Sequence, residues 1–175
     1  MKRRTFLISS SIVLTGIGAG ALYWPARWKH IVIHHSGGNY GNIEFLQKVH
    51  RERQPRDPID AIPYHYIIGN GNGMKEGEIA SDWRKNYSIW GTHLSSRNTY
   101  KNFTGIGICL IGNFEETTVP KKQFDAVVSL TKSLMHEYAI PVSNVNGHGY
   151  IEGERTKCPG KRFPMQEFIK KIQVS

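Results

Sequence analysis

Short, almost unbroken apolar runs mark the first places where this chain declares its structure. Ile31-Val32-Ile33 within His30–His35, and Gly105-Ile106-Gly107-Ile108-Cys109-Leu110-Ile111-Gly112, have the pattern of strands covered on both faces. The first run stops at Ser36-Gly37-Gly38. Asn42 then offers an N-cap for a helix over Ile43–Arg53, with Ile43, Leu46, Gln47 and His50 along one face, and Arg56-Asp57-Pro58 ends it. Ile62-Pro63-Tyr64-His65-Tyr66-Ile67-Ile68 predicts a second strand. Gly69-Asn70-Gly71-Asn72-Gly73 predicts a hairpin turn rich in residues that tolerate positive φ, and Met74 to Ile79 the return strand. From Trp83 to Phe103 no period holds, which predicts a long loop of the kind that carries function. Thr118 and Pro120 open an amphipathic helix in which Phe124, Val127, Val128, Thr131, Leu134, Met135 and Tyr138 recur at helical spacing until Pro141 stops it. Asn144 to Gly147 predicts a last short strand, and Met165 to Ile172 a closing helix. The predicted fold class is therefore α/β: a single domain with a central mixed β-sheet flanked by helices.

The first 22 residues stand apart from this pattern. Lys2, Arg3 and Arg4 precede an uncharged run from Phe6 to Leu22, and Ala19-Gly20-Ala21 has the small-x-small form that signal peptidases cut. Arg3-Arg4-Thr5-Phe6-Leu7 also resembles a twin-arginine export signal. Residues 1–22 thus read as a signal peptide or, alternatively, as a retained membrane anchor. The run approaches the roughly 20 residues a spanning helix needs, although its Ser and Gly residues make it a poor one. The domain itself occupies 28–175, long enough for one real core and too short for two. Cleavage after residue 21 would remove three basic residues and no acidic ones, taking the formal charge from +9 to +6. An exported basic protein is suited to nucleic acid, an anionic membrane or an anionic wall. No basic helix or interleaved aromatic-basic stripe is present, which argues against nucleic acid. The expected location is the periplasm or cell envelope, with a membrane tether through the N-terminal segment as the alternative to release, and the expected state is a monomer.

Two distant segments carry the candidate chemistry: the His34-His35 pair ending the first strand, and Gly147-His148 followed by Arg155-Thr156-Lys157-Cys158-Pro159-Gly160. Together they offer two imidazoles and a thiolate, a set of three that suits a zinc ion with one open position. Structural zinc sites close with four protein ligands, whereas catalytic sites keep the fourth for water or substrate. Each residue also has an ordinary reading. A histidine at a strand end is often hydrogen-bonded structure, and a cysteine before Pro-Gly can be a turn residue. Cys109 and Cys158 could form one disulfide in an exported protein, although Cys109 lies inside an apolar run where a free thiol behaves as a small hydrophobe. The chain lacks His-Glu-x-x-His, so the common metalloprotease helix is absent.

Six pieces of sequence, in order, also carry a family resemblance: Ile31-Val32-Ile33-His34-His35-Ser36, Tyr64-His65-Tyr66, Gly91-Thr92-His93, Gly105-Ile106-Gly107-Ile108, Gly112-Asn113-Phe114, and Gly147-His148 through Thr156-Lys157-Cys158-Pro159-Gly160. The arrangement resembles the zinc-dependent N-acetylmuramoyl-L-alanine amidases, the family shared by short phage amidase-lysozymes and peptidoglycan recognition proteins. It covers about residues 30 to 168.

The resemblance implies a peptidoglycan hydrolase that cuts the amide between N-acetylmuramic acid and L-alanine with zinc-activated water. The alternative it leaves is a non-catalytic peptidoglycan-binding protein. By position, it implies His34, His148 and Cys158 as zinc ligands, with His35 structural because adjacent strand residues point to opposite faces. Recognition-only relatives commonly carry Ser where this chain has Cys158. Tyr64 matches the family's active-site tyrosine, and Thr156 a position that helps to stabilise the oxyanion, while Lys157 is expected to point away. His93 and Asn102 are implied to face the substrate groove, or else to order their loop. Some members place a glutamate base where this chain has Cys109; its absence shifts proton transfer to Tyr64 and the activated water.

Overall fold

A computed structural model describes residues 25–57 and 59–174. The leader reading for residues 1–22 and the site of its cleavage lie outside the described residues. The two apolar runs form strands β1 (His30–His35) and β4 (Gly105–Leu110), which pair in parallel from His30 opposite Gly105 to His35 opposite Leu110. Strand β5 (Val145–Gly147) runs parallel to the other side of β1, and β2 (Tyr66–Ile68) parallel to the outer side of β4. Strand β3 (Ile79–Ser81) is antiparallel to β2, so the five-stranded sheet is mixed, in the order β3-β2-β4-β1-β5.

Side-chain alternation divides the core between the two faces of this sheet. Ile31 and Ile33 of β1 and Ile106, Ile108 and Leu110 of β4 pack with residues of helices α4 (Lys121–Tyr138) and α5 (Met165–Gln173), including Phe124, Val127 and Phe168. Ile67 and Cys109 point the other way, towards Leu46 of helix α1 (Ile43–Arg53). Asn42 caps α1 as its sequence predicts, its side-chain oxygen accepting from the Phe45 N–H at 2.8 Å. Gln123 is fully buried in α4 and donates to the carbonyls of Ile68 and Ile111, so the helix satisfies the ends of β2 and β4.

Three predicted boundaries move. The strand expected over Ile62 to Ile68 is regular only at Tyr66–Ile68, because the groups before it are committed elsewhere. Arg84 takes the Ile62 carbonyl, the Thr92 N–H takes the Pro63 carbonyl, and Pro63 has no N–H to give. The return strand starts at Ile79 rather than Met74, since Lys75 to Glu78 form a further turn closed by a Glu78 N–H to Lys75 carbonyl bond. The long loop contains two helices too short to show a period, α2 (Trp83–Asn86) and α3 (Thr99–Thr104).

That loop is tied to the domain by a buried ionic cluster. One Asp57 oxygen accepts from the Arg84 guanidinium, from Thr92 Oγ1 at 2.7 Å and from His50 Nε2 at 2.8 Å, while the other accepts from the Ile59 N–H. Arg84 is fully buried and also donates to the carbonyls of Ile62 and Trp90. Removing one member strands its partner's charge away from water. Arg84→Ala is expected to lower stability by about 3–5 kcal/mol and the melting temperature by roughly 10 °C or more, read by calorimetry.

His65 supplies a second tie. It accepts from the Gly107 N–H at Nδ1 and faces the Ile89 carbonyl with Nε2 at 2.8 Å, which fixes it as the neutral Nε2–H tautomer. Burial drives its pKa down to about 3, opposed by the Ile89 carbonyl and reinforced by Arg84 and Arg27. In the unfolded chain the same imidazole takes up a proton near its ordinary value of about 6.5. Between these values the unfolded form binds more protons, so stability is unaffected above that range and falls as pH drops towards 3. Melting temperatures measured on metal-free protein should therefore decline steadily from pH 7 to pH 4, and His65→Phe should flatten part of that decline.

Candidate metal centre

The parallel pairing of β1 with β5, Ile33 opposite Gly147, brings the ends of both strands to one edge of the sheet. His34 lies one residue beyond that pair and His148 directly follows β5. Their rings stand 4.7 Å apart between centroids. Cys158 arrives on the loop that follows. Its carbonyl accepts from the Gly149 N–H, its own N–H donates to Thr156 Oγ1 at 3.1 Å, and the His35 N–H donates to its sulfur at 3.3 Å. Two glycines permit this approach. A Cβ on Gly149 would stand 2.4 Å from the Thr156 carbonyl oxygen, and Gly160, at φ +103°, backs onto Phe114 with no room for one.

One donor atom from each of His34, His148 and Cys158 lies within 4.8 Å of the other two. The far nitrogens are already engaged. His34 Nε2 is 3.1 Å from His93 Nδ1, and His148 Nε2 is 3.1 Å from a Glu154 oxygen. Nδ1 of His34 faces the sulfur of Cys158 at 3.7 Å. Nitrogen and sulfur bonded to one tetrahedral zinc at about 2.0–2.1 and 2.3 Å would stand roughly 3.5–3.6 Å apart. Burial, helped by His93, His148 and His35, holds the His34 pKa well below the ordinary value, so its ring is neutral with a lone pair to give. Burial likewise pushes the Cys158 thiol up to about 12, against the His35 N–H. A buried set of neutral donors that disfavours the free thiolate fits a cation whose charge would stabilise it. Both cysteines are free, so the disulfide alternative falls.

The structure treats the other predicted residues differently. The Tyr64 ring lies 5.0 Å from that of His34, with the thiols of Cys109 and Cys158 nearby. Burial first, then the nearby thiols of Cys109 and Cys158, keep this phenol protonated far above the ordinary range, although the ring retains some solvent contact. Thr156 is exposed beside His148 on the wall of a groove of about 500 Å³, which Ser95, Arg97 and Arg155 also line. Lys157 points away towards Glu115. His93 reaches that wall but is 94% buried, with Nδ1 on His34 and Nε2 towards the Gly105 carbonyl without a well-aligned bond. It therefore orients a donor as well as bordering the groove. Asn102 does not face the groove. Its amide is consumed at both ends by the Leu94 backbone, at 2.9 Å each way, so it orders the loop.

Glu154 is the residue that sequence reading missed. Besides His148 it accepts from the Ser95 N–H and Oγ and from Asn98 Nδ2. Burial alone would raise its pKa, but the bonds from Asn98, Ser95 and His148 outweigh it and hold the carboxyl ionised. The only sequence signal was a carboxylate six residues after a histidine in a glycine-rich loop, which is weak.

A family model described as N-acetylmuramoyl-L-alanine amidase matches residues 24–161. The chain belongs to that family. The N-acetylmuramoyl-L-alanine amidase LysC of Clostridium intestinale superposes with a TM-score of 0.70 at 26% identity, over 87% of this chain and 89% of that one. Peptidoglycan-recognition protein SC2 of Drosophila melanogaster is 26% identical over 136 residues, 75% of this chain and 67% of its own. Drosophila PGRP-LB shares the fold, with a TM-score of 0.61 at 23% identity over 79% of this chain and 78% of that one. Family membership and fold together support a function of the peptidoglycan amidase or recognition-protein type. Because Glu154 fixes the tautomer of a donor, Glu154→Ala is expected to weaken zinc binding by about 10–100-fold in a chelator competition, with Glu154→Asp recovering part of the loss.

Proposed function

We propose that this chain is a zinc-dependent N-acetylmuramoyl-L-alanine amidase, hydrolysing the amide between the lactyl group of N-acetylmuramic acid and L-alanine in peptidoglycan. The observation that carries this reading is the convergence of His34, His148 and Cys158, with the far nitrogen of each imidazole already committed to a partner. Zinc held there would polarise the scissile carbonyl and make water nucleophilic at neutral pH. The protein's own groups do the rest. Glu154 and His93 hold the two imidazoles in the orientation that aims Nδ1 at the centre. Tyr64, protonated at any working pH, and Thr156 donate hydrogen bonds to the carbonyl oxygen as it gains charge. Tyr64 is also the candidate carrier of the proton to the departing alanine nitrogen, with Cys109 beneath it where a carboxylate base would otherwise stand. Arg97 and Arg155 on the groove wall suit the carboxylates of a stem peptide. The leader pattern supports action in the periplasm or cell envelope, and the domain as a monomer is sufficient for this chemistry.

The test is incubation of zinc-loaded protein with purified sacculi, followed by mass spectrometry of the products, which should show free stem peptides and intact glycan. Zinc at one equivalent together with binding but no cleavage would favour a recognition protein instead. Cys158→Ala is expected to lose zinc and activity together. Tyr64→Phe is expected to keep zinc while losing about 10²–10³-fold in rate, and full turnover by the Cys158 variant would overturn the assignment.

A further inference from the structure

Arg27, close behind the N-terminal segment, is clamped to two parts of the long loop. Its Nε donates to the Phe103 carbonyl and its Nη2 to the Ser88 carbonyl, and the guanidinium lies over the Trp28 ring, 3.9 Å from the centroid. The segments it joins hold Trp83, Tyr87 and Trp90 on one side and Tyr100 and Phe103 on the other. These are half of the large apolar side chains exposed among the described residues, on two segments that Arg27 draws together. The rings of Trp83 and Tyr87 pack at a tilt of 52° with centroids 5.1 Å apart, and Trp90 and Phe103 line an apolar depression of about 360 Å³. Cations border the patch: Lys85 beside Trp28 and Ser88, and Lys101 close enough to His30 to lower its pKa after burial has done most of that work.

We infer that this surface rests on an anionic lipid bilayer, the one to which a retained N-terminal anchor would tether the domain. Trp and Tyr, with an apolar body and a polar tip, favour the headgroup level, and lysines at its rim are drawn to anionic headgroups. An aromatic platform can also stack sugars, but a saccharide needs polar partners beside the rings. The polar side chains lining this depression are already bonded inside the domain, Asn102 to Leu94, Thr92 to Asp57 and Thr99 to Ser96. The chain also enters the domain at this patch, which a tether to the same bilayer requires. His30, at the start of β1, stands near Tyr100, their ring centroids 6.1 Å apart, and His34 lies about 13 Å further along the strand at about 3.3 Å per residue.

Hydrogen exchange on the full chain tests this. On vesicles of phosphatidylcholine and phosphatidylglycerol, residues 83–90 and 99–103 should exchange at least about threefold more slowly than in non-ionic detergent, with residues 40–45 unchanged. Tyr87 and Tyr100 are 63% and 67% exposed, so Tyr87→Ser with Tyr100→Ser leaves the core intact and should abolish the slowing. Equal exchange in vesicles and detergent, retention of the slowing in the double variant, or slowing by lipid-free glycan strands instead of vesicles would each overturn the inference.

Discussion

Parallel pairing of β1 between β4 and β5 is the constraint on which the site depends. Parallel strands end at the same edge, so the chain delivers one imidazole from the last turn of β1 and another from the first residue after β5 without any long excursion. Open α/β sheets bind their ligands beyond the carboxyl ends of the strands for this reason. Alternation then does the sorting. Ile31 and Ile33 enter the core under α4 and α5, while His34, between Ile33 and His35, turns to the opposite face beside Cys109.

Two buried carboxylates support this arrangement, and they do different work. Asp57 neutralises Arg84 and thereby fixes the loop that carries Thr92 and His93. Glu154 touches His148 directly and binds the 95–98 segment with the same two oxygens, so the groove wall and the candidate donor cluster share one anchor. The Asp57–Arg84 contact and the Glu154 contacts to Ser95 and Asn98 join segments distant in sequence. A change in the wall at Ser95 or Asn98 would be felt at His148, and the reverse.

This explains what could be read from the residues alone. The strands β1 and β4, the capped helix α1 and the amphipathic helix α4 were legible because each is a strong local pattern: an apolar run, an Asx cap, a helical period. A donor set of imidazoles and a thiolate was legible because these residues sat at strand ends and in loops, while the choice of His34 over His35 came from the family resemblance; the donors of His34, His148 and Cys158 do converge. The short helices α2 and α3 were not, since four and six residues cannot display a period. Nor were the truncated β2, cut short because Arg84 and Thr92 take the Ile62 and Pro63 carbonyls, and the displaced β3, delayed by the turn at Lys75 to Glu78. Asn102 misled for the same reason, as its partners lie on Leu94 and no spacing rule points there.

Both outer strands of the sheet, β3 and β5, are only three residues long. An unpaired strand edge is a template on which another polypeptide can add itself, and the shorter it is, the weaker the template. Edges this short offer a neighbouring chain almost nothing to zip onto, and they achieve this through brevity rather than through charge.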